Sequence, residues 1–251
     1  MSDTLVQDKS LEIEFFDQWA ESKAFQQFGH FTDTGHDTLI QHFNKYVRDK
    51  LTKGHNVIDL GCGSGAFTRR FFKDAQAACF GQDISPGVIR AAKELDQKTV
   101  YLVGDVENTS FGDETFDVIV CGGVLHHVPN KEKMLKEIRR ILKKGGYFLS
   151  YDPNLSNPFM WFYKDFWAKL SSKLLQTKNE QLFTVNQIQD VLGKEGFSKI
   201  DIECLSRVPF KYVGSRLGEY LLPVYNFIDH LLDKSFLRRK YGAMIVVCAQ
   251  K

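Results

Sequence analysis

Val57-Ile58-Asp59-Leu60-Gly61-Cys62-Gly63-Ser64-Gly65 is the stretch that decides how this chain is read. An apolar β-type run ends at an acidic residue. Three glycines then alternate with small residues, and Ala66, Phe67 and Thr68 open a helix-compatible segment. The order spells strand, tight loop, helix. Glycine lets the backbone turn sharply and approach a ligand closely, and the amides at the start of a helix offer it donors. The expectation is a ligand-binding loop between a strand over 55–60 and a helix over 64–73.

Working outward, β-like and helical segments alternate, the pattern of a parallel sheet with helices on both faces. Strands are predicted over 77–82, 99–103, 116–121 and 147–151. A helix over 85–95 follows the N-cap Ser85 and Pro86. Another starts after Asn130 and carries Met134, Leu135, Ile138 and Ile141 at helical spacing, with Lys143-Lys144-Gly145-Gly146 as its stop. A helix over 184–194 capped by Thr184, a strand over 199–204 and a last strand over 241–249 complete a doubly wound, seven-stranded α/β sheet. In such sheets ligands sit outside the carboxyl ends of the strands, so Asp59, the glycine loop, Asp83, Asp105 and Gly122 converge on one rim.

Gly61, Gly63 and Ala66 also satisfy a dinucleotide fingerprint. Asp59 speaks against it, because a carboxylate two residues before the first glycine repels a pyrophosphate and suits a cationic ammonium, directly or through water. Val57 to Gly65, Gly81-Gln82-Asp83-Ile84-Ser85, Gly104-Asp105-Val106, Phe116 to Val128 with Leu125-His126-His127, and Ile141 to Tyr147 resemble the successive motifs of small-molecule class I S-adenosylmethionine (SAM) methyltransferases of the type 11-like branch. This resemblance covers 56–150, with a weaker likeness over 183–197, and implies a mostly parallel, Rossmann-like fold whose final strand is antiparallel. It further implies that Gly61, Cys62, Gly63 and Gly65 pass the methionine portion of SAM and Asp83 with Ile84 the ribose. Asp105 and the backbone of Val106 would meet the adenine, and Cys121 and Gly122 the sulfonium side by their backbones. S-adenosylhomocysteine (SAH) is the implied product.

Composition bounds the partners. With 251 residues, 43% of them hydrophobic, the chain can bury a core of one domain with elaborations. Its 33 basic and 31 acidic residues nearly balance, which disfavours a broad nucleic-acid footprint and favours a small-molecule acceptor. Cys62, Cys79, Cys121, Cys204 and Cys248 are scattered without metal-ligand spacing, so they read as reduced thiols, with no metal and a cytoplasmic setting expected. Residues 1–10 are polar and do not read as a secretory signal.

Transfer from a sulfonium needs a positioned acceptor and exclusion of water; an oxygen or nitrogen acceptor also needs a base. His126 and His127 are the candidates, His126 being preferred, since neutral imidazole suits that role near pH 7. The core is expected over 36–155, 183–205 and 238–251. Three further segments, 1–35, 156–176 and 206–237, are expected to form a helical lid, and they hold 18 of the 33 aromatic residues. Phe15, Phe16 and Trp19 would share a helix face, and Leu217, Leu221, Leu222, Tyr225, Ile228 and Leu232 form an amphipathic stretch. The aromatic excess implies an accessory core or an apolar acceptor pocket with cation-π contacts to the sulfonium. Arg238, Arg239 and Lys240 allow weak membrane-surface contact, although a solvated charge run is the preferred reading. The competing readings are nucleic-acid or protein methylation, nicotinamide-dependent reduction, and a SAM-binding protein without turnover.

Overall fold

The computed structural model describes residues 8–21, 31–161, 179–208 and 216–251, with the side chains of 216–219 excepted. Seven strands form one sheet: β1 Asn56–Leu60, β2 Ala78–Asp83, β3 Val100–Val103, β4 Phe116–Gly122, β5 Leu142–Pro153, β6 Ser198–Leu205 and β7 Met244–Gln250. Their spatial order is β3-β2-β1-β4-β5-β7-β6. Pairings from β3 across to β5 are parallel, whereas β7 runs antiparallel to both β5 and β6. The expected doubly wound, mostly parallel sheet is thus present. All seven residues of β7 are buried, as befits a strand paired on both sides and covered on both faces.

Helices α1 Lys9–Glu21, α2 Asp33–Val47, α3 Ala66–Phe71, α4 Pro86–Leu95, α5 Lys131–Ile141, the short α6 Pro158–Met160, α7 Val185–Lys194, α8 Arg216–Asp233 and α9 Arg238–Tyr241 accompany it. Local chemistry sets their starts. Ser85 accepts the Val88 amide and Asn130 that of Lys133, while Thr184 and Gln187 form a reciprocal capping box. One core layer packs α2 and α3 on one sheet face through Leu39, Phe43, Phe67 and Phe71. On the other face α5 and α7 supply Met134, Leu135, Ile138, Ile188 and Leu192.

Three boundaries differ from the sequence reading for identifiable reasons. Helix α5 ends at Ile141, before the Lys-Lys-Gly-Gly run. Leu142 is extended, fully buried and paired with Phe116, and the following residues form a bulge that Gly145 turns at φ +72°. Lys143 bonds Asp117 at 2.7 Å instead of the helix end. Tyr241 lies in α9 and not in β7, because Asn154 Nδ2 donates to the carbonyls of Lys240 and Gly242 and Asn157 Nδ2 to that of Tyr241. Helix α3 is shorter than expected: Ser64 remains in the loop and Gly65, at φ +74°, is its left-handed N-cap.

The amphipathic stretch also differs. Leu222 and Tyr225 of α8 are buried and Phe159 stacks on Tyr225 at 4.1 Å, but Ile228 points outward. Leu217 lies outside the residues whose side chains are described, as do the lid aromatics Phe25, Phe28, Phe162, Tyr163, Phe166, Trp167, Phe210 and Tyr212.

Candidate functional site

The loops that leave the carboxyl ends of β1, β2, β3 and β4 are neighbours in space, since those strands stand side by side in the sheet. They bring Asp59, Gly61, Cys62, Gly63, Gly65, Asp83, Ile84, Asp105, Val106, Cys121 and Gly122 to one rim. The amides of Gly61 and Cys62 both donate to the Gln82 carbonyl, at 2.7 and 3.1 Å, and tie the glycine loop to β2. Asp83 completes the tie. Its Oδ2 accepts the Gly63 amide at 2.8 Å and its Oδ1 the Ser85 amide at 3.1 Å, so the carboxylate is held rigidly while keeping further lone pairs for a ligand. Burial raises the Asp83 pKa and these amide bonds oppose the rise.

The glycines divide into two jobs that sequence alone does not separate. A Cβ on Gly61 would come within 2.2 Å of Val124, and one on Gly65 within 2.4 Å of the Tyr101 hydroxyl. Those two glycines make room for the protein's own side chains. Gly63, at φ +52°, would meet nothing within 4 Å, so the open face of the loop is there. A loop open at Gly63 beside an anchored acidic side chain fits the methionine and ribose portions of SAM.

Two of the predicted contact residues are also engaged by the protein's own groups. Asp59 does not face an open space: it is 3% exposed and accepts a hydrogen bond from Thr68 Oγ1 at 2.6 Å. Burial pushes its pKa up to about 7, against the pull of that bond. Thr68 was visible in the sequence only as a helix residue; its partner becomes apparent only when α3 folds back over β1. Asp105 is likewise engaged. Its Oδ1 accepts the Glu107 amide at 2.9 Å, and Lys9 Nζ from α1 bonds both Asp105 and Glu107. Burial disfavours the Lys9 ammonium, but these two carboxylates outweigh it and raise its pKa. Cys62 turns its side chain toward Ile89, Ala92 and Tyr101, and Cys121 lies in the core, paired with Ser150 across β4 and β5.

Helix α1 therefore lies across the rim. Asp17 Oδ1 caps the start of α4 by accepting the Gly87 amide at 2.7 Å and the Ser85 hydroxyl. Glu12, 3% exposed, accepts Asn179 Nδ2 at 2.8 Å and stands 3.5 Å from His127 Nδ1, with Phe16 edge-on to the His127 ring. These strap residues escaped the sequence reading because their partners are about 70 to 170 positions away in the chain.

At the neighbouring strand ends the two histidines part company. His126 is 4% exposed, and its Nδ1 lies 2.8 Å from Asp152 Oδ1 at the end of β5. The same oxygen accepts the His126 amide at 3.2 Å. Asp152 Oδ2 is buried with no hydrogen-bond partner among the described residues, and burial raises the Asp152 pKa.

Residues 58–150 match the family described as Methyltransferase domain. This chain carries a class I SAM-dependent methyltransferase domain. Its motif-bearing part is similar to the ubiquinone biosynthesis O-methyltransferase of Coxiella burnetii, with 35% identity over 107 residues, 41% of this chain and 45% of that protein. It is also similar to the 2-methyl-6-phytyl-1,4-hydroquinone methyltransferase of Synechocystis, with 31% identity over 158 residues, 55% of this chain and 50% of that protein. The chain thus spans about half the length of these curated relatives. A SAM-dependent methyltransferase from Thermotoga maritima has the same fold at a TM-score of 0.62 and 20% identity, covering 95% of this chain and 99% of that one. No group of three or more His, Cys, Asp or Glu side chains suited to a metal occurs among the described residues.

Proposed function

We propose that this methyltransferase domain transfers the methyl group to an oxygen or nitrogen of a small, hydrophobic organic acceptor, and that His126 is the base that takes the acceptor's proton. The buried His126–Asp152 pair carries this reading. Asp152 Oδ1 collects the His126 amide, and an Nδ1–H donated to the same oxygen would leave the lone pair on Nε2, the tautomer a general base requires. Bound SAM supplies a methyl group on a sulfonium already activated for displacement. Gly63 and Asp83 would orient it, and the anchored glycine loop keeps that orientation fixed. The acceptor's proton passes to His126 Nε2 as its oxygen or nitrogen forms the new bond to carbon.

Burial of the base supports a small acceptor, because a side chain this enclosed is out of reach of a duplex or a protein surface. Support for a hydrophobic one comes from Lys131, which lies over the Phe183 ring at 5.4 Å and whose pKa burial lowers, marking a poorly hydrated surround. The similar proteins are named for ubiquinone biosynthesis and for a phytyl hydroquinone, both apolar ring systems. His127, held between Glu12 and Phe16, serves to close α1 on the rim.

The test is SAH formation from SAM with an alkyl-substituted hydroquinone and an alkylamine, followed by mass spectrometry. His126→Ala is expected to lower turnover by about 10²–10⁴-fold with SAM affinity unchanged. Undiminished turnover in that variant removes the base assignment.

A further inference from the structure

Helix α8 exposes apolar surface that the core does not use. Tyr220, Val224, Phe227, Ile228 and Leu231 recur at helical spacing and are 81%, 57%, 61%, 56% and 51% exposed. Phe236, at 84%, and Leu237 continue the patch beyond the helix end. Single exposed apolar residues are ordinary, but a contiguous stripe of this kind marks a surface that meets another apolar phase. The opposite face is fully committed: Leu222 and Tyr225 pack inward, and Asp229 Oδ2 accepts the Arg207 amide at 2.7 Å. The helix is therefore fixed in orientation and does not turn its stripe inward by rolling.

Charge says what the stripe meets. Lys234, Arg239 and Lys240 are exposed beside its carboxyl end, and among the described residues none of them has an ion-pair partner. The acidic residues of this region are used internally, Asp229 as above and Asp233 by Arg207 and Arg238. A second copy of this chain would present the same uncompensated cations and no exposed acidic side chain of α8 between 220 and 233 to meet them. An anionic bilayer offers both halves of the complement, headgroups for the lysines and arginine and acyl chains for the aromatic and aliphatic side chains. No described helix is long and apolar enough to cross a membrane, which leaves an interfacial position.

We propose that the outward face of α8, with Lys234, Arg239 and Lys240, docks on the surface of an anionic lipid bilayer. The stripe includes none of the residues assigned to the cofactor rim, so the inference does not rest on the identity of the acceptor. The full chain is tested by flotation with phosphatidylcholine vesicles, with and without about 30% phosphatidylglycerol, in low and high salt. The chain should float with the anionic vesicles in low salt and remain below with the neutral ones. A Phe227→Glu, Leu231→Glu variant and an Arg239→Glu, Lys240→Glu variant should each lose about tenfold or more of the bound fraction. Both should bind SAM as the unaltered chain does, which reports that they are folded. Failure of the unaltered chain to float with anionic vesicles overturns the proposal, as does flotation of both variants like the unaltered chain. A lipid-free dimer that Phe227→Glu, Leu231→Glu converts to monomer in sedimentation velocity also overturns it, since the stripe would then be a self-association face.

Discussion

Helices α5 and α8 are both apolar enough to pack on the sheet side of the molecule, yet they settle in opposite ways. In α5 every large apolar residue on the stripe, Met134, Leu135, Ile138 and Ile141, is fully buried, and the remaining positions are charged. Its sequence admits one orientation. In α8 apolar residues surround the helix, and Asp229 and Tyr225 face inward while Val224, Phe227 and Leu231 face water. Periodicity therefore fixes the face of a helix only where polar residues exclude the alternatives. The motif-bearing half of the molecule answers to packing and ligand together, whereas the α8 side retains surface that packing has left over.

Substitutions can break or sharpen that contrast. The largest effect belongs to Asp59, a carboxyl buried among the protein's own side chains at a cost in stability. A carboxyl with its pKa raised from 3.8 to about 7 imposes no cost below its unfolded value and its full cost above its folded value. Asp59→Asn, which retains an acceptor for Thr68, should therefore stabilise the SAM-free protein by about 4 kcal/mol at pH 8 and about 2 kcal/mol at pH 5. Urea denaturation at the two pH values checks this, and an equal gain at both would place the charge elsewhere. Next comes packing. Ile138→Ala in α5 should cost about 3 kcal/mol, but Phe227→Ser in α8 less than about 0.5 kcal/mol, by the same denaturation assay. Equal losses would show that α8 is covered in solution. Smallest is the strap that α1 lays across the rim. Lys9→Ala should weaken SAM binding only a few-fold, because Lys9 and Asp105 are 30% and 28% exposed, and that loss should shrink in high salt.

The strand-loop-helix frame was legible because its signals are local. Ser85, Asn130 and Thr184 announce helix starts within four residues, and the glycine loop is contiguous with the strand it follows. What escaped depends on partners distant in sequence. Val124 and Tyr101 fill the space behind Gly61 and Gly65, and Lys9, Glu12 and Asp17 reach the rim from the amino-terminal helix. Asp152 falls just beyond the strand expected over 147–151, yet β5 extends through it and sets it against His126. The Lys143 to Gly146 run shows the converse: a helix stop by composition becomes a bulge because Leu142 is claimed by the sheet.

Calorimetric titration of SAM into the full chain, beside Asp83→Ala, bears most directly on the central claim that the four loops form one cofactor rim. The geometry predicts saturable one-to-one binding, and an affinity about 100-fold lower in Asp83→Ala. Absence of binding heat for both SAM and SAH, or equal affinity in the variant, would contradict it.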